Sequence, residues 1–288
     1  MNTIFYFDRM IRFWVLFGVI FFFHFHVQAQ IDQAPASGGR AVAMGKAYTG
    51  VGGDYWALFH NPAGIAGMDG AQAGVYLEQR FLLSELNFAQ AGFATSFADN
   101  QAFGFSLSSF GFDAYQENSV GLVYGIEVLN RIRVGAGIKY GILNIQEQGN
   151  DGSLLVQVGI QTQVNSELSI GFSAYNVNRA QLDVQGVPEI IPSILRGGLA
   201  YSASDRVLLV FDLVKDVDHA LSYRGGLEYE INEVLKARGG VGTEPLSFSL
   251  GLGIDWKEFQ ADFASSYTER LGYSPHLSIS YRFGKSAK

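Results

Sequence analysis

The sequence predicts an all-β fold: a transmembrane, antiparallel outer-membrane β-barrel of about 14 strands, with an N-terminal plug or hatch segment. Three observations predict it. From Ala71 onward, apolar residues recur with a period of two in one run after another. The runs are about nine to eleven residues long, the length a tilted strand needs to cross the hydrocarbon, whereas strands of soluble sheets average nearer five or six. The connections between runs alternate between short and long, as they do when one rim carries turns and the other carries loops.

Residues 1–29 read as an export signal. Arg9 and Arg12 make a basic start, Phe13 to Phe25 an apolar stretch too short to span a bilayer, and Val27-Gln28-Ala29 a small-residue cleavage site. The whole chain carries a formal charge of −7, and loss of Asp8, Arg9 and Arg12 makes it one unit more negative. An acidic exported chain lacks the basic face that nucleic-acid binding requires. The chain has no Cys, which excludes disulfides and thiolate metal sites. Its 35 Gly, 14% aromatic residues and only 6 Pro suit many strands in a closed sheet.

Residues 30–70 are the predicted plug. Gly50, Gly52 and Gly53 permit a tight bend, Asp54 is placed to cap a short helix over Tyr55–Phe59, and Pro62 ends that helix. Two roles stay open for it. It fills a lumen otherwise too wide to pack, or it acts as a gate that touches ligand, since irregular backbone at membrane depth lines cavities. The plug residues singled out are Arg40, Met44, Gly45, Asp54, Asn61, Pro62, Ala63 and Gly64.

Residues 71–288 are the predicted barrel. Strands are expected to begin near Ala71, Asn87, Gln101, Asn118, Arg131, Ser153, Glu167, Ser193, Arg206, Ala220, Val234, Leu246, Glu258 and His276. The last shows the pattern most clearly: Leu277, Ile279, Tyr281 and Phe283 take one face, Ser278, Ser280 and Arg282 the other. In the run from Ser247, Phe248, Leu250, Leu252 and Ile254 alternate with Ser and Gly. The apolar set faces lipid, because a Lys or Arg there costs about 2–4 kcal/mol at mid-bilayer. The lumen set then holds Arg131, Arg133, Lys139, Arg196, Arg224, Glu228, Lys236, Arg238, Asp262 and Arg282. Charges in so narrow a space must pair, so salt-bridge networks are expected.

The short connections include 98–100, 129–130, 165–166, 204–205, 232–233 and 255–257. The longer ones are Gln79–Leu86, Gly111–Glu117, Asn144–Gly152, Asn178–Pro192, Asp216–His219, Thr243–Pro245 and Thr268–Pro275. With the last strand descending inward, the short turns are periplasmic. Two loops carry apolar residues: Phe81, Leu82 and Leu83 in the first, and Leu182, Val184, Val187, Ile190 and Ile191 in the longest. They contact a partner or a hydrophobic ligand, or they fold into the mouth and cap it.

The order Gly38-Gly39-Arg40-Ala41, Met44-Gly45-Lys46-Ala47, Asp54, Asn61-Pro62-Ala63-Gly64-Ile65-Ala66 carries a resemblance. With these residues the chain resembles FadL-like outer-membrane proteins, and more closely the PorV/PorQ branch found with type IX secretion. That branch implies a barrel in outer-membrane lipid that binds secretion components or cargo sorting domains without conducting cargo itself. The wider resemblance implies the alternative, a channel for hydrophobic small molecules such as fatty acids. Its plug would gate, and a kinked strand would open a lateral exit. The adjacent glycines Gly197-Gly198, Gly225-Gly226 and Gly239-Gly240 are the kink candidates.

No cofactor, metal or catalytic site is predicted. His60, His219 and His276, the three histidines beyond the signal, have no ligand spacing. His276 and Ser278 share a face, but a nucleophile also needs an orienting acid and oxyanion donors. Gly135-x-Gly137 and Gly251-x-Gly253 lie within strands and open no helix, so they are not phosphate loops. The chain is expected not to be an enzyme.

Overall fold

A computed structural model describes residues 37–98, 100–184, 187–269 and 271–284. The predicted signal, residues 1–29, and the first part of the predicted plug lie outside the described residues. The plug holds two short helices, α1 (Gly39–Ala43) and α2 (Ala57–His60), and a 3-10 helix, Pro62–Gly67. The strands are β1 (Ala71–Gln79), β2 (Asn87–Ala98), β3 (Gln101–Phe112), β4 (Tyr115–Leu129), β5 (Ile132–Ile145), β6 (Gly149–Gln163) and β7 (Leu168–Tyr175). After a hairpin of β8 (Gln181–Val184) and β9 (Val187–Ile190) come β10 (Ile194–Ser204), β11 (Val207–Asp216), β12 (Leu221–Glu230) and β13 (Leu235–Gly242). The chain ends with β14 (Ser247–Trp256), β15 (Phe259–Thr268) and β16 (Gly272–Phe283).

Fourteen of these strands form one closed antiparallel barrel, β1–β7 followed by β10–β16, and β1 closes it against β16 with Ala71 opposite Phe283. Closure leaves no edge to pair with another chain, which is what a wall in lipid requires. The outward face is the predicted apolar set: Phe248, Leu250, Leu252 and Ile254 all point away from the lumen, Leu250 being 72% exposed. Among the described residues no helix is long and apolar enough to cross a membrane.

Three predicted loops are much shorter than expected. β4 begins at Tyr115, β5 runs to Ile145 and β6 begins at Gly149, so Gly111–Glu117 and Asn144–Gly152 are mostly strand. Polar residues such as Gln116 and Asn144, which pair across β4 and β5, continue the strands past the apolar band, and their polarity alone suggested loops. β16 likewise starts at Gly272 and passes through Pro275. There the ladder with β1 has already stopped, its last pair being Glu78 opposite His276, so Pro275 pairs on one side only, with Ser265.

The core lies inside the barrel and is mostly plug. Tyr48, Tyr55, Trp56, Met44, Leu58 and Ile65 of the plug, with Tyr76 of the wall, are its largest apolar side chains, all almost fully buried. Helices this short gain little stability by themselves, and the wall completes them. The N–H of Gly39, at the open start of α1, donates to Ser278 Oγ at 3.0 Å. At its other end Ser249 Oγ accepts from Gly45 N and donates to Ala43 O, both at 3.1 Å.

Candidate functional site

The plug is fastened to the wall in two halves. Residues 37–49 are held by the later strands. Arg40 Nε and Nη2 each lie 2.8 Å from an oxygen of Glu228, and Arg40 Nη1 lies 3.1 Å from Asp54 Oδ2. Glu228 also accepts from Arg238 Nε at 2.6 Å, and Arg238 Nη1 reaches Asp262 Oδ1 at 2.6 Å. Tyr48 donates its hydroxyl to Asp54, whose carboxyl is raised above its usual range by burial, against the lowering effect of Arg40. On β11, Asp212 Oδ2 receives the N–H groups of Tyr48 and Thr49 at 3.0 Å and the Thr49 hydroxyl at 2.6 Å.

Residues 50–67 rest mainly on the earlier strands. Gln161 Nε2 donates to Gly50 O at 2.9 Å and Gln157 Nε2 to Leu58 O at 3.3 Å. Asn61 ties the halves together: its Nδ2 donates to Thr49 O at 3.0 Å and to Ile160 O at 3.2 Å, while its Oδ1 accepts from Ala63 N at 3.2 Å. Pro62 then opens the 3-10 helix, a position where its missing N–H costs nothing. Asp54 does not cap a helix as predicted. The helix starts two residues later, at Ala57, and the Asp54 side chain turns to Tyr48 and Arg40. Burial lowers the His60 imidazole to about 3, so it is neutral at ordinary pH and its Nε2–H donates to Ser37 O at 2.9 Å.

Glycine on the lumen face is what lets the plug approach. A Cβ at Gly226 would stand 2.6 Å from the Met44 Cβ, and one at Gly125 would stand 2.9 Å from Ile65 Cγ1. The kink candidates are therefore seats. Gly198 faces Thr49, Gly226 faces Met44, and Gly240 faces Met44 and Gly45, and the ladders run through all three pairs without a register shift. The register shifts fall near the rim of short turns, at 96–98, 127–129 and 202–204.

The other predicted lumen charges separate into groups. Arg133 pairs with Glu127 at 3.0 Å and Lys236 with Asp255 at 2.9 Å; Lys139 lies 6.0 Å from the Tyr175 ring centroid. Arg196 and Arg224 are buried, and Arg282 is half-buried at the rim of short turns. Arg131 is a correction: it sits in a turn with φ 77°, exposed, and its guanidinium reaches Val164 O at 3.4 Å. The start of the period-two run put it on a strand, but the tight turn claims it first.

The apolar loops also divide. Leu182 is buried against Leu143, with Tyr115, Ile145 and Ile191 packed around them, so this part of the longest loop folds inward. The side chains of Val184 and Ile190 lie outside the described residues. Phe81 is half-buried and its N–H donates to Ser274 Oγ at 2.9 Å, while Leu82 and Leu83 are exposed. Ser278 is taken up by Gly39 N and by Asp262, so it does not pair with His276.

A second feature lies on the outer wall, in the half toward the loop rim. An apolar groove of about 560 Å³ crosses β1 to β5. Ala91 lies opposite Val75 on one side and Leu107 on the other, and Ala89 lies opposite Leu77 and Ser109. Small side chains on β2 thus form a floor between larger apolar walls, with Val120 and Tyr140 beyond Leu107. The sequence reading did not find this groove. Its signal is a pair of alanines at outward positions of β2, which means nothing until the register supplies the neighbours.

No protein-family model and no curated protein matches the chain. Solved structures do. The toluene transporter TbuX of Ralstonia pickettii is 16% identical over 86% of this chain and 98% of its own, with a TM-score of 0.65. The toluene transporter TodX of Pseudomonas putida is 13% identical over 85% and 97%, with a TM-score of 0.66. A Pseudomonas aeruginosa FadL homologue is 12% identical over 84% and 96%, with a TM-score of 0.58. At these identities the likeness is one of fold: a closed antiparallel barrel like theirs.

Proposed function

We propose that the protein is an outer-membrane conduit of the FadL type for hydrophobic small molecules, with the plug as its gate and the groove over β1–β5 as the ligand's contact with the bilayer. The observation that carries this reading is the groove. Its walls are apolar, and its volume of about 560 Å³ falls within the range of small-molecule sites. The lumen charges, which would obstruct an apolar solute if spread along the wall, are instead largely engaged at the plug and in local pairs. The likeness to toluene transporters supports the same class of solute. In this reading residues 1–29 direct export, the short turns face the periplasm of a Gram-negative cell, and no catalytic step is needed for passage. Purification from the native membrane in mild detergent, followed by mass spectrometry of bound small molecules, tests it. An apolar compound retained by the wild type and lost when Ala91→Trp fills the groove is the expected result; a wild type that retains none counts against it.

A second reading, an accessory of type IX secretion, is favoured by the exposed Leu82 and Leu83 beyond the strands and by the Arg40–Ala66 motif. Recovery of secretion components or sorting domains in the same purification, lost on Leu82→Ser with Leu83→Ser, would establish it.

A further inference from the structure

One cluster lies apart from the ion pairs that hold the plug, although its Tyr76 also packs edge-on against Trp56 of the plug. Near the loop rim, Ser266 of β15, His276 of β16, and Tyr76 and Glu78 of β1 meet across three neighbouring strands. Ser266 Oγ lies 2.9 Å from His276 Nε2, and His276 Nδ1 lies 2.8 Å from the Tyr76 hydroxyl. The Tyr76 O–H donates to Glu78 Oε2 at 3.3 Å. Where Tyr76 gives its proton to Glu78, its oxygen accepts from the imidazole and Nδ1 carries the ring proton. Nε2 then presents its lone pair to the Ser266 hydroxyl. A serine facing a base, with the base oriented by a chain that ends in a carboxylate, is the arrangement of an activated nucleophile.

Ser274 stands directly opposite Ser266 in the ladder. Its Oγ accepts the Phe81 N–H at 2.9 Å, which leaves its own O–H as a donor beside Ser266. The loop that supplies this N–H holds Phe81 and Leu82 at φ 56° and 59°, a region costly for residues other than Gly. Leu82 and Leu83 stand exposed next to it, while Ser266 is half-buried.

We propose that Ser266 is a nucleophile and that the loop rim of the lumen cleaves carboxylic esters with an apolar acyl chain. Ser266 Oγ attacks the carbonyl carbon as its proton passes to His276 Nε2. The bond to the alcohol oxygen breaks, and the alcohol leaves with that proton. Water, giving a proton to the same Nε2, then attacks the acyl-serine, and the carboxylic acid departs as Ser266 recovers its proton. Ser274 donates to the carbonyl oxygen while it carries charge, and Leu82 and Leu83 receive the acyl chain. Tyr76 and Glu78 are positioning residues: they hold the imidazole in one tautomer.

The test is labelling of the full chain, folded in detergent, with a fluorophosphonate probe, and peptide mass spectrometry to locate the adduct. Folding is monitored separately by the heat-dependent gel migration of the barrel. The expected adduct is on Ser266, absent in Ser266→Ala and slowed about 100-fold in His276→Gln. Tyr76→Phe should change the pH profile of labelling, which a merely structural role would leave unmoved. Hydrolysis of p-nitrophenyl butyrate should follow the same order. A folded wild type that takes no more probe than the heat-denatured chain, or equal labelling of Ser266→Ala, overturns the proposal.

Discussion

Arg40 of the plug and Glu228 of β12 form a two-pronged pair, each of two guanidinium nitrogens 2.8 Å from a carboxylate oxygen. The same Glu228 is bonded by Arg238 of β13, which in turn holds Asp262 of β15. The plug is therefore fixed to the wall by charge as well as by packing, and a charge left behind inside the lumen is costly.

Removing one partner of a buried ion pair costs about 3–5 kcal/mol, because the other stays charged and unmatched. Arg40→Met should therefore loosen the plug while leaving the barrel closed. The expected outcome is larger single-channel conductance in planar bilayers, with unchanged heat-dependent gel migration. Arg40→Lys should restore the seal only in part, since an ammonium cannot make both bonds at once.

Gly226→Leu should unseat Met44. A Cβ there already stands 2.6 Å from the Met44 Cβ, and overpacking of this kind costs about 1–3 kcal/mol. Faster protease cleavage within residues 37–67 is the expected readout, and Met44→Ala should not reverse it, because the clash is with the backbone and Cβ of residue 44, which alanine keeps.

Asn61→Ala should weaken the join between the two halves of the plug. It leaves Thr49 O and Ile160 O without the amide that now serves both, at about 1–3 kcal/mol for each buried group left unmatched. Hydrogen exchange of the plug should rise while that of β10–β16 stays unchanged.

The plug should also loosen in acid. His60, held near 3 when seated, returns toward 6.5 when released. The released plug thus binds a proton that the seated one does not, so seating is strongest above pH 6.5 and weakens as pH falls from 6.5 toward 3. The labelling rate of a Ser37→Cys variant, taken relative to that of the unfolded chain at the same pH, should rise as pH falls across that window, and His60→Phe should flatten the response.

The barrel was legible because its physics is local. A strand between lipid and lumen must alternate, and β14 and β16 do so residue by residue. Where the strands continued in polar residues, as at Gln116 and Asn144, they were mistaken for loop. Arg40, Asn61 and Glu228 were identifiable as unusual, but their partners were not, since pairing across 188 residues depends on shear and register. The groove and the Ser266–His276 contact were illegible for the same reason: each is made of ordinary residues that only the closed sheet brings side by side.

The conduit is tested most directly by uptake of a radiolabelled monoaromatic hydrocarbon into cells lacking their own FadL-like proteins. Wild type and Ala91→Trp would be compared at equal amounts of folded barrel. Faster uptake with the wild type, abolished by Ala91→Trp, is the predicted result. Uptake by the wild type no faster than by cells without the protein, or undiminished in Ala91→Trp, would contradict it.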